Sequence, residues 1–268
     1  MIVRPGLGRH VLRPKLPILQ YSRPTRRFQH NNYSGTNESD SFLLPGQRSA
    51  LSLLKGFIAV NCVVAAAWQF ATIRNKADSA SLVKTKHDLE RTLNDKFVMR
   101  KDDIARGKYW GAILSNFSHK EVLHLGFNMM AFWSLGNGLI TSLPQMNAAR
   151  FFTLCTGSAL GTIVGSFSHK QAQDIRNGSL GASGIISGII TAVAMRAPFS
   201  KMQFIFLPGV GIPTWIMTAA FFSYSAYQVT HYDPRSPPIF DHAGHLGGAV
   251  FGALYYLLAL RRARVPRW

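Results

Sequence analysis

Six apolar stretches run through this chain, over residues 51–73, 122–140, 148–167, 181–195, 212–229 and 243–260. A helix needs roughly 20 apolar residues to cross the hydrocarbon core of a bilayer. A chain organised this way folds by spanning a membrane rather than by collapsing around one water-excluded centre. With 47% hydrophobic against 16% charged residues and a mean hydropathy of +0.06, a single large soluble core is excluded. The expected fold class is an all-α membrane protein, a bundle of six transmembrane helices. Lys55 is the one basic residue well inside these stretches, close enough to a helix end to snorkel. The fourth stretch is short and rich in Gly, Ala and Ser, so it is expected to begin inside a protein-lined cavity rather than at the lipid boundary. A further apolar piece, residues 202–210, carries Pro208 and Gly209 and is read as a buried loop or half-strand.

The net charge of +18 and a pI near 10.5 would ordinarily suggest a nucleic-acid partner. Its placement argues against one, because the charge lies in the tails and loops between apolar spans. Arg4, Arg9, Arg13, Lys15, Arg23, Arg26 and Arg27 precede the first acid, Glu38. An Arg-rich, acid-free start without a secretory apolar run reads as a mitochondrial transit peptide over residues 1–37, followed by a polar linker over 38–50. Pro5, Pro14, Pro17 and Pro24 restrict any leader helix to about residues 6–13. The long connection 74–120 holds 11 of the 30 basic and 6 of the 12 acidic residues. Within it, residues 81–97 have helix-forming composition with a thin stripe of Leu82, Leu89 and Leu93, and predict a surface helix. The tail 261–268 is basic again, with Arg261, Arg262, Arg264 and Arg267. Six spans put both termini on one side, and with the long loop set aside 15 basic residues stand on that side against 3 opposite, favouring matrix-side termini. Cys62 and Cys155 both sit in apolar runs, so neither a disulfide framework nor a zinc cluster is indicated.

Polar residues inside such spans are costly, which makes them candidates for function. His124 and Asn128 stand four apart in the second span, on one helical face directed into the bundle. The fourth span opens Gly181-Ala-Ser183-Gly184, and the sixth opens Asp241-His242-Ala-Gly-His245-Leu-Gly-Gly248 with Gly252 beyond. Glycines on both sides of Ser183 permit a tight turn that exposes its hydroxyl. A serine becomes a nucleophile only beside a base, and His245 is the imidazole best placed by type and context. His245, Gly248 and Gly252 share a face, and Gly184 with Gly188 forms a small stripe on the Ser183 helix. Stripes of this kind let two membrane helices touch. Taken singly, a Gly-x-Ser-Gly string is commonly packing, and a buried His-Asn pair is commonly an interhelical hydrogen bond. His119, His124, His242 and His245 could also gather around a metal, but no carboxylate stands beside His124 within its span and there is no His-Glu-x-x-His helix, so no metal is expected.

In this order and on three separate spans, His-x-x-x-Asn, Gly-x-Ser-Gly and His-x-x-Gly-x-x-x-Gly resemble the rhomboid intramembrane serine proteases, over about residues 51–260. Leu-Ser-Asn-Phe-Ser-His119, Ser-Leu-Gly-Ala-Ser183-Gly, the Phe-Ile-Phe-Leu-Pro string at 204–208, and Phe240-Asp-His-Ala-Gly-His245-Leu-Gly-Gly resemble the mitochondrial, presenilin-associated rhomboid-like branch. The resemblance implies a six-span rhomboid-like bundle in the mitochondrial inner membrane, with Ser183 as nucleophile and His245 as base. It implies His124 and Asn128 as oxyanion donors, joined by the Ser183 backbone N–H, and close helix packing at Gly181, Gly184, Gly188, Gly248 and Gly252. It implies no catalytic role for Asp241 and no metal or organic cofactor. The partners implied are transmembrane substrates within the bilayer, among them a dynamin-like inner-membrane fusion GTPase, and no nucleic acid.

Two departures accompany the resemblance. Ser187 stands where many bacterial members carry a tyrosine that packs on the catalytic ring, so another surface must orient His245. No apolar run precedes residue 51, whereas mitochondrial members usually bear an extra span there, and the basic-residue count fits the bacterial orientation. The rival expectation is an inactive rhomboid relative that binds transmembrane helices and controls their trafficking, against which the intact Ser183 and His245 argue. A small transporter would show internal repeats, and none is visible.

Overall fold

The computed structural model describes residues 42–79, 88–203, 209–233, 235 and 240–261. The leader, the first residues of the linker, Leu82, the string at 204–208 and the tail beyond Arg261 lie outside the described residues. In chain order the elements are α1 (Pro45–Ser79), α2 (Asp88–Lys96), α3 (Lys101–Ala105), α4 (Trp110–Leu114), α5 (Val122–Ser142), α6 (Ala148–Ala172), α7 (Ser183–Arg196), β1 (Lys201–Gln203), β2 (Gly211–Pro213), α8 (Thr214–Thr230) and α9 (His242–Tyr255). A π-helical turn, Tyr256–Leu260, prolongs α9. Each of the six apolar stretches is thus occupied by one of the long helices. Among the described residues, three regions are long and apolar enough to cross a membrane: Pro45–Asn75 of α1, α6, and α9 with its π turn.

The core runs between α1, α5, α6, α7 and the end of α9, with Leu54, Phe132, Leu139, Phe151, Leu154, Ile185 and Ile189 at its centre. Gln47 ties the start of α1 to the end of α5, its side-chain amide donating to the Ile140 carbonyl at 2.9 Å. Asn147 caps α6 by accepting from the Arg150 N–H at 2.9 Å. The short α7 lies in the middle, packed by α5, α6, α8 and α9. At ~1.5 Å per residue its 14 residues span about 21 Å, less than the ~30 Å hydrocarbon thickness.

α9 is held by backbone approach on two sides. Toward α6, a Cβ added at Gly247 would stand 2.0 Å from the Gly161 carbonyl oxygen, and one at Gly165 would stand 2.4 Å from that of Ala243. Toward α7, a Cβ at Gly248 would stand 2.1 Å from the Gly184 oxygen, and one at Gly252 would stand 2.2 Å from that of Gly188. Gly157 receives the Phe251 ring in the space its missing side chain leaves. Lipid offers apolar surface as readily as protein does, so helices in a membrane associate through close van der Waals packing, and glycine maximises it.

Of the two expectations for 202–210, a buried loop or a half-strand, the described residues favour the second: Met202 is half-buried in β1, while Lys201, Gln203, Gly209 and Val210 are exposed. β1 and β2 pair antiparallel there, Met202 opposite Ile212, so the fold is not wholly α. Alternation of Lys201, Met202 and Gln203 suits an exposed strand with one face half covered. The expected surface helix is present over its described part, Asp88–Lys96, where Leu89 is exposed and Leu93 is buried against Trp68, Ala71 and Val98.

Gly247→Ala is expected to separate α6 from α9 and destabilise the protein by about 1–3 kcal/mol, as overpacking does. Gly138→Ala, whose new Cβ meets nothing within 4 Å, is expected to be neutral or to stabilise by up to about 1 kcal/mol. Thermal unfolding in detergent separates the two.

Candidate active site

Ser183 is the first residue of α7, and the turn before it is pinned from outside that helix. Met99 and Ser179 form a small antiparallel bridge, exchanging two backbone hydrogen bonds of 2.9 Å. The Gly181 N–H donates to the Ser115 carbonyl at 2.8 Å, and the Ala182 N–H donates to His119 Nε2 at 3.3 Å. Gly181 has φ +127°, a backbone conformation that calls for glycine, and a Cβ there would also crowd the His124 ring at 3.0 Å from Cε1. Lys101 of α3 also pairs with Asp174 in the connection leading to this turn. The long connection between the first two apolar stretches therefore supplies the scaffold on which the serine sits.

His119 is fully buried. Burial, with His124 adding a smaller effect, pushes its pKa down to about 4, so the ring is neutral and its Nε2 can accept. Its ring meets that of His124 edge-on at 4.9 Å.

His245 lies one turn into α9. Asp241 caps that helix, accepting from the Gly244 N–H at 3.0 Å, and also accepts from the Ser166 hydroxyl. Burial alone would raise the Asp241 carboxyl. The Lys170 ammonium and hydrogen bonds from Ser166, Ser179 and the Gly244 N–H outweigh it and hold the group below the ordinary carboxylate range.

Ser183 Oγ and His245 Nε2 stand 2.8 Å apart. For the hydroxyl to donate, Nε2 must be unprotonated and the ring proton must sit on Nδ1, which is buried with no partner among the described residues. The His245 ring lies beside two others: Phe221 of α8, tilted, at 5.4 Å, and His242, nearly perpendicular, at 6.1 Å. Ser187 is turned away, its hydroxyl donating to the Ser183 carbonyl at 2.8 Å. A cavity of about 30 Å³, room for roughly one water, is bordered by Ser183, Asp241, His245, Asn116, Thr162 and Ser179. A larger one of about 480 Å³ shares Ser179 and Asp241 with it and extends to His169, Lys170, Tyr232 and His242.

The other candidates take varied places. His124 approaches Gly181 and lies 3.9 Å from the Glu121 carboxylate through Nδ1. Asn128 is buried, with its amide donating to the His124 carbonyl at 2.8 Å. Its contacts are with its own helix rather than with Ser183. Gly184, Gly188, Gly248 and Gly252 line the α7–α9 contact. Sequence reasoning missed His119 as a turn anchor, although its closeness to His124 was visible. It also missed the Gly157, Gly161 and Gly165 stripe on α6, whose four-residue spacing was a legible signal. Phe221 carried none, standing among other aromatics in an apolar run.

The rhomboid domain model matches residues 106–262, more than half of the chain, and the chain belongs to the rhomboid family. It is similar to the mitochondrial rhomboid protein 1 of Saccharomyces cerevisiae, 35% identical over 162 residues, covering 60% of this chain and 44% of that protein. It is also similar to the mitochondrial presenilin-associated rhomboid-like protein A of Danio rerio, 26% identical over 222 residues, 83% of this chain and 50% of the relative. The rhomboid protease GluP of Bacillus subtilis matches at 26% over 150 residues, 56% of this chain and 26% of that protein. The chain thus spans half or less of these relatives' lengths.

His119→Ala is expected to leave the Ala182 N–H unpaired, at a cost of about 1–3 kcal/mol. A histidine whose folded pKa lies below its unfolded one stabilises fully above about pH 6.5 and loses that contribution as pH falls toward about 4. Thermal midpoints measured across pH 4–7 should fall on acidification less steeply in the variant than in the wild type.

Proposed function

We propose that this chain is an intramembrane serine endopeptidase of the mitochondrial inner membrane, a multi-pass protein that cuts within or near transmembrane helices of its substrates. The observation that carries the reading is the 2.8 Å contact between Ser183 Oγ and His245 Nε2, buried where two glycine-lined helices meet. Membership of the rhomboid family and the names of the mitochondrial relatives support its class and address, and the basic, acid-free first 37 residues agree. All six long helices are read as membrane spans, α7 being short enough to begin below the membrane surface.

Neutral His245 takes the proton as Ser183 Oγ attacks the scissile carbonyl, forming a tetrahedral oxyanion. The Ser183 backbone N–H, the His124 ring and the second N–H of the Asn128 amide are the donors assigned to that charge. His245 then protonates the leaving amine, the C–N bond breaks, and an acyl-serine remains. Water, activated by the same imidazole, attacks the ester and frees the serine. The two adjoining cavities support water access from the aqueous side. A substrate helix protects its own amides by hydrogen bonding, so it must unwind locally, and small or helix-breaking residues are expected near the cut. A dynamin-like fusion GTPase is the substrate class that the resemblance suggests.

The test is reconstitution with a model transmembrane substrate. Ser183→Ala and His245→Ala are each expected to lower turnover by at least about a thousandfold, and Asn128→Ala by about a hundredfold. Equal cleavage by wild type and both dyad variants would overturn the reading. A folded protein that binds the substrate helix but cuts nothing would indicate an inactive, helix-binding relative.

A further inference from the structure

The base in this site is unusually short of polar anchors. His245 is 5% exposed, one ring nitrogen meets Ser183 Oγ, and the other has no partner among the described residues. A buried imidazole with a single hydrogen bond can still turn about its own side-chain torsions, carrying Nε2 away from the serine. Ring packing must then supply what a second hydrogen bond would. α7 offers no ring, since its sequence holds no aromatic residue and Ser187 bonds back to its own helix. Among the described residues its aromatic neighbours are His242 of the same helix, nearly perpendicular to it, and Phe221, which comes from α8 with its plane tilted 37° to the imidazole at 5.4 Å. That separation lies within the range where aromatic pairs attract.

We propose that Phe221 is a positioning residue for the base: its ring holds the His245 imidazole in the orientation that aims Nε2 at Ser183. This rests on the reading of Ser183 and His245 as nucleophile and base. Phe221 is 40% exposed and lies outside the buried core, so its removal is expected to alter the setting of the base more than the stability of the fold. It also links α8, which carries neither member of the dyad, to the chemistry.

The test compares full-length wild type with Phe221→Ala, Phe221→Tyr and, as a control on the same helix, Ile216→Ala, each reconstituted with the model transmembrane substrate. A second readout is the rate at which a fluorophosphonate probe labels Ser183, which depends on the base but not on substrate binding. Phe221→Ala is expected to lower kcat about tenfold with KM within twofold of wild type, and to slow labelling by a similar factor. Phe221→Tyr should recover most of both, and Ile216→Ala should match wild type, with thermal midpoints of all variants near the parent's. Unchanged or faster turnover and labelling in Phe221→Ala would overturn the inference, as would a rise in KM alone, which would make Phe221 a substrate contact. If Ser183→Ala abolishes labelling while Phe221→Ala leaves it intact, this inference falls and the proteolytic reading stands. If wild type neither cleaves nor labels, both fall.

Discussion

The close approach of the α9 backbone to those of α6 and α7 is the contact on which the rest of this structure depends. With Gly247 facing Gly161, and Gly248 and Gly252 facing Gly184 and Gly188, little side-chain bulk separates the helices at these points. In lipid that intimacy supplies cohesion, because apolar surface alone gives one helix no reason to prefer another over the acyl chains. It also sets a distance. Ser183 begins α7 and His245 lies in the first turn of α9, so the helix spacing brings a two-atom side chain within hydrogen-bond reach of an imidazole. A larger residue at Gly184 or Gly248 would meet Thr162 or the facing backbone before any chemistry was considered.

A second constraint acts on the serine from the opposite direction. In the turn before Ser183, Gly181 adopts a conformation that L side chains rarely take, and the Gly181 and Ala182 amides are taken up by Ser115 and His119. Both belong to the stretch before α5, which Trp68 of α1 in turn holds through Ser118 at 2.8 Å. The setting of Ser183 is therefore shared among α1, the long connection and α7. A buried amide without a partner is costly, so this arrangement resists drift in the turn. On the other flank His245 meets the Phe221 ring of α8, and the Ser183–His245 pair sits between a hydrogen-bonded wall and an aromatic one.

The long helices were legible because each occupies a sustained apolar run. The small stripes of α7 and α9 could be reasoned from spacing alone, since three- and four-residue intervals fall on one helix face. The third stripe, Gly157, Gly161 and Gly165, had the same spacing but no chemistry-bearing residue to draw attention to it. The exposure around β1 was less legible than its strand character, because Met202 and Val210 look apolar whereas the flanking Lys201 and Gln203 keep the strand at the surface. The division of labour between His119 and His124 was not legible, because which imidazole receives the Ala182 N–H depends on how the connection folds back over the turn.

Sequence by itself determined the long apolar helices, the polar residues retained within them and the glycines that make close packing possible, since these follow from local chemistry and period. Only the tertiary structure decided that Met99, Ser115 and His119 cradle the turn before Ser183, that Asn128 bonds its own helix, and that Phe221 approaches His245. Those contacts join residues from different helices and connections, and their geometry exists only once the helices have settled against one another.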